Sequence, residues 1–120
     1  MHTVMWKFTL PPGAEKAQLD EIISASAATY IGVPGLIRKY YGYALEHGRV
    51  EVVGIYLWRT RAEADAFYTP QWLEKVCARW GVSPLRHDWE TPTVVESALG
   101  GVIDSKLTRQ VAASQQSDLR

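Results

Sequence analysis

The segment Val33–Tyr68 limits what this chain can fold into more than any other stretch. It reads VPGLIRKYYGY, a charged turn, VEVVGIYLW and then RTRAEADAFY. The runs on either side of Glu46-His47-Gly48-Arg49 are rich in β-branched and aromatic residues, so they read as the arms of a β-hairpin. The second arm feeds directly into a helix. Thr60 is a good N-cap, Glu63 lies at capping-box spacing, and Ala62, Ala64 and Ala66 favour helix. Strand, hairpin, strand and helix therefore occupy the centre of the molecule. This centre also carries more Tyr, Trp and Arg than a core of that size requires.

The flanks extend the pattern. Thr3–Leu10 alternates as a strand, with Val4, Trp6 and Phe8 on one face and Met5 and Lys7 on the other, until Pro11-Pro12-Gly13 stops it. A helix is expected from about Ala14 to Tyr30, its apolar face built by Leu19, Ile22, Ile23, Ala27 and Tyr30. In the hairpin, Leu36, Arg38, Tyr40 and Gly42 are expected on one face, and Ile37, Lys39, Tyr41 and Tyr43 on the other. Gly54, inside the second arm, signals a bulge or a close approach of other groups. Thr69-Pro70 starts a further helix that runs to Trp80 and stops at Gly81. A last strand is expected from Leu85 to Ser97, with Pro92 forcing an edge position or a bulge.

The order β-α-β-β-α-α-β is a ferredoxin-like α+β plan: an antiparallel sheet with helices on one face. Residues 1–98 form this one domain. Residues 99–120 read as a polar tail, with Ile103, Leu107 and Val111 at weak helical spacing before a disordered end. Both sheet faces carry apolar residues, and a second copy is the simplest cover for the uncovered one. The expectation is a twofold homodimer, a dimeric α+β barrel.

Composition narrows the function. Lys+Arg and Asp+Glu balance at 13 each in 120 residues, which argues against a nucleic-acid surface and gives no attraction to a membrane. The single cysteine, Cys77, suits a reducing compartment. No signal peptide and no membrane-length apolar run is visible, so a cytoplasmic protein is expected. The three histidines lack metal-ligand spacing, and no phosphate-binding loop occurs. Neither a metal nor another cofactor is expected.

Three stretches together resemble a known group. These are Val33–Tyr41, Gly54–Tyr68 and the T-P-x-W of Thr69–Trp72. They are similar to small dimeric α+β-barrel monooxygenases related to the antibiotic-biosynthesis monooxygenases, over about Met5 to Glu96. The resemblance implies cofactor-independent oxygenation of a small aromatic or polyketide-like phenolic substrate, in a pocket between sheet and helices. Characterised members of the wider group, including the haem-degrading branch, use a pocket Asn. This chain has no Asn, which sets haem degradation by that route aside.

The candidate site residues follow. Trp6, Tyr41, Trp58, Tyr68 and Trp72 can line a flat cavity for an aromatic ligand, or simply pack the core. Arg38 can stabilise a phenolate or a peroxide-like intermediate, or pair with Glu51 across the hairpin. His87 can remove a phenolic proton, or lie on the surface. Asp88, adjacent on the same strand, points to the opposite face and is poorly placed to orient His87. Lys39 is expected to be solvated. Non-oxidative isomerase, cyclase or lyase chemistry in the same pocket, or ligand binding alone, are the alternative readings.

Overall fold

The computed structural model describes residues 1–104. Strands β1 (His2–Leu10), β2 (Leu36–Ala44), β3 (Val50–Trp58) and β4 (Leu85–Glu90) form one antiparallel sheet in the order β2-β3-β1-β4. Helices α1 (Lys16–Ala27), α2 (Arg61–Phe67) and α3 (Pro70–Trp80) connect them. The fold is α+β and ferredoxin-like, as the order of elements predicts.

The strand period decides which side chains meet the helices. Val4, Trp6 and Phe8 of β1 and Val52, Tyr56 and Trp58 of β3 are buried, and Leu19, Ala64 and Val76 close over them from the helices. Trp6 and Tyr41 both pair with Gly54. A Cβ at Gly54 would stand 3.1 Å from the Tyr56 ring and 3.5 Å from Lys39 Cε. The glycine therefore marks a close approach, and no register shift occurs there.

Local chemistry fixes the element ends. Thr60 Oγ1 accepts from the Glu63 N–H at 3.1 Å, and Thr69 Oγ1 accepts from the Trp72 N–H at 3.1 Å. α1 begins later than expected, where the Gln18 side chain accepts from the Glu15 N–H at 3.1 Å. It gives way at Ala28 to a 3-10 turn, Ala28–Tyr30.

Two expectations are corrected. In β2 the pairing register shifts between Leu36 and Arg38, so Leu36 joins the helix-facing side with Lys39 and Tyr41. Ile37 becomes the bulged residue and is exposed; the shift lets Leu36 pack on the core. The last strand is also interrupted. β4 ends before Thr91-Pro92, whose proline cannot continue a ladder, and a separate hairpin follows: β5 (Thr93–Glu96) and β6 (Gly101–Asp104). Ile103 thus lies in a strand, not in a helix. Leu107 and Val111 fall outside the described residues.

This hairpin crosses the face away from the helices. Arg38, Leu57, Thr3 and Trp89 form one row across the sheet. The hydroxyl of Thr3 is hydrogen-bonded to that of Thr91 at one end, and Arg38 pairs with Glu96 at the other. No helix among the described residues is long and apolar enough to cross a membrane.

Candidate functional site

The helix-covered face of β2 brings Lys39 inward. Its Nζ sits 3.4 Å from the centre of the Tyr30 ring, 3.9 Å from that of Tyr41 and 4.5 Å from that of Tyr56. Gly54, opposite the neighbouring Tyr41, leaves room for the lysine stem. The result is a chamber between sheet and helices, closed on its other sides by Phe8, Val76 and Trp80. Its volume is about 20 Å³, room for about one water. Burial pushes the Lys39 amine down to about 6, and the charge of Arg79 acts in the same direction. Ring faces attract a cation and offset part of this cost, but burial prevails. A lysine was expected here to be solvated; it is instead an amine poised to gain or lose a proton near neutrality.

The chamber adjoins a groove of about 360 Å³ between the 3-10 turn and α3. The two share Tyr30, Val76 and Arg79. Trp72, Phe67 and Lys75 belong to the groove. The Tyr30 hydroxyl links both spaces, accepting from Trp72 Nε1 at 3.1 Å and from the Tyr56 hydroxyl at 3.4 Å. Tyr41 is anchored by the Ser26 hydroxyl at 2.6 Å, yet burial still raises its phenol above the ordinary value.

The expected aromatic residues divide into lining and wall. Tyr41 lines the chamber and Trp72 the groove. Trp6, Trp58 and Tyr68 line neither; they pack behind. Tyr68 lies 5.2 Å from Trp6 and 4.7 Å from Trp72, ring centre to ring centre, despite the break between α2 and α3. Trp58 is fully buried and donates to the Tyr68 hydroxyl at 2.9 Å. Burial drives the phenols of Tyr56 and Tyr68 far up, so both stay neutral.

Neither Arg38 nor His87 lines the chamber or the groove, but Arg38 borders a third space of about 370 Å³ that Lys39, Tyr30 and Tyr41 also line. Both lie on the face away from the helices, because Arg38 pairs with Leu57 and His87 with Met5. Arg38 meets Glu96 of the hairpin, not Glu51, which faces Lys7 and Arg49. His87 stacks on Trp89 at 6.1 Å. Asp88 points inward instead, and there it orients a different histidine. His2 Nε2 lies 2.6 Å from Asp88 Oδ2, and Arg86 bridges Asp88 and Asp65 at 2.8 and 2.7 Å. Burial opposes ionisation of Asp88, but the hydrogen bonds from Arg86 and His2 outweigh it and hold the carboxyl below its usual range. Arg86 also stacks over Tyr68 and Trp6. This network ties β4 to the aromatic wall and lines neither cavity. Among the described residues, no group of three His, Cys, Asp or Glu is placed to hold a metal.

With this geometry in view, similarity to solved structures is informative. Two structures of SnoaB, a cofactor-independent oxygenase from Streptomyces nogalater, superpose with a TM-score of 0.56 over 79% of this chain and 96% of theirs, at 16% identity. This chain has the fold of that oxygenase. Rv0793 from Mycobacterium tuberculosis matches with a TM-score of 0.50 at 15% identity, over 80% of this chain and 97% of its own. No family model and no curated protein sequence matches the chain.

Proposed function

We propose that the protein is a cofactor-independent oxygenase of small phenolic or polyketide-like aromatic compounds, with Lys39 as its base. The observation that carries this reading is the Lys39 amine, enclosed by three tyrosine rings in the cavity between sheet and helices. An oxygenase without cofactor must draw its electrons from the substrate, and the substrate yields them as a phenolate or carbanion. A neutral amine at pH 7 can take that proton. The anion then reduces O₂ and a C–O bond forms. Where the reacting carbon is a CH₂, loss of water leaves C=O, and both hydrogens end in that water. The likeness in fold to SnoaB supports the same reaction class. The working form we propose is a homodimer joined through the sheet face away from the helices.

The test is oxygen uptake with a hydroxylated anthrone. Lys39→Met is expected to lower turnover roughly 100-fold or more. His87→Ala, on the far face of the sheet, is expected to retain it. Equal turnover of Lys39→Met and wild type would refute the base assignment. Product formed at the same rate under argon would place the chemistry among proton-transfer isomerisations or cyclisations.

A further inference from the structure

We propose that the ligand of this cavity is an aromatic carboxylate, its carboxyl group held at the mouth by Lys75 and Arg79 and its ring directed toward Lys39. The inference rests on the reading of the Lys39 chamber and its groove as the ligand site.

The charge distribution carries it. Among the described residues, Lys7, Lys16, Arg38, Arg49, Arg59, Arg61 and Arg86 all have a carboxylate partner. Of the three other described basic side chains, Lys75 and Arg79 have none and both line the groove; Lys39, the third, lies in the adjoining chamber and is the amine that burial holds neutral at pH 7. No Asp or Glu lines either space. In a chain of zero formal charge, that leaves a concave, locally positive site with no internal counter-charge. Arg79 sits in the last turn of α3, where a cation suits the helix dipole. That accounts for Arg79, but not for Lys75 beside it in the same groove.

Geometry supplies the rest. Lys75 and Arg79 are four residues apart on α3, so both heads lie on one face, one turn apart. Arg79 borders both spaces, and its planar fork matches a carboxylate. Trp72, Tyr30 and Phe67 line the same groove, flat surfaces on which an aromatic ring can stack. A groove of about 360 Å³ is in the range of small-molecule sites.

Three probes test this on the full chain: 3-hydroxy-2-naphthoate, its neutral carboxamide and 2-naphthol. Tryptophan fluorescence quenching at pH 7.5 reports binding. The carboxylate is expected to bind about tenfold tighter than the amide. Lys75→Gln and Arg79→Gln should each lower the carboxylate affinity several-fold and leave the amide unchanged, and added salt should narrow the preference. Equal affinity for carboxylate and amide overturns the proposal. So does a carboxylate preference that survives in the double variant, or no binding by any probe. Carboxylate-selective binding that needs Lys75 and Arg79, with no oxygen consumed in the hydroxylated-anthrone assay, leaves this assignment standing and removes the oxygenase reading.

Discussion

At the scale of single residues, the burial of Lys39 has a measurable signature. The amine releases its proton at about 6 in the folded chain, against an ordinary 10.5. Between those values the unfolded chain holds a proton that the folded one has lost. The unfolded state therefore binds more protons, and stability rises with pH across that window. Lys39→Met removes this titration. The urea midpoint of wild type, relative to Lys39→Met, is expected to climb from pH 6 to pH 9; a constant difference would show that Lys39 is not buried as described. If Lys39 is the base, turnover should rise with pH through about 6 and then level off. The lysine was hard to read from sequence, because both faces of LIRKYYGY carry apolar or aromatic side chains. Strand alternation placed Lys39 with Tyr41 and Tyr43 but could not say which face the helices cover. Gly54 was the available signal: a strand glycine opposite Tyr41 leaves space that a long neighbouring side chain can enter.

At the scale of elements, the signals written in one or two residues were the readable ones. Thr60 and Thr69 start their helices as expected, Gly81 ends α3 in a left-handed conformation, and the hairpin closes over His47-Gly48. What was missed depends on contacts distant in sequence. The shift at Ile37 follows from the pull of the core on Leu36. Pro92 signalled an edge or a bulge, not the break between β4 and β5, and the pairing of Val94 with Ile103 needed the intervening SALGG to be read as a turn. The cap at Thr69 does more than start a helix. It fixes the first turn of α3, from which Trp72 reaches both Tyr30 and Tyr68. Thr69→Ala is expected to cost about 1 kcal/mol by urea unfolding and to weaken binding in the groove by loosening Trp72. A loss of stability with unchanged binding would show that packing against Tyr68 positions Trp72 on its own.

At the scale of the whole molecule, the sheet with helices on one face leaves the opposite face to be explained. The element order made this visible early, and the structure adds that the β5–β6 hairpin covers only one end of it. Tyr40, Leu85 and Trp89 remain exposed on that face, and Val95 and Val102 on the outer side of the hairpin. Exposed apolar groups gathered this way are costly in water, which supports the proposed dimer. Light scattering at micromolar concentration is expected to give twice the 13.5 kDa mass of the chain. Trp89→Glu separates a dimer interface from a chance patch. Trp89 is 51% exposed in the single chain, so a carboxylate there should cost the monomer little. In a dimer joined through this face, the same carboxylate would be buried without a partner and should drive dissociation. The dissociated variant should keep the pH signature of Lys39, which lies across the sheet. A wild-type monomer would reject the dimer, and a Trp89→Glu dimer as tight as wild type would move the interface elsewhere.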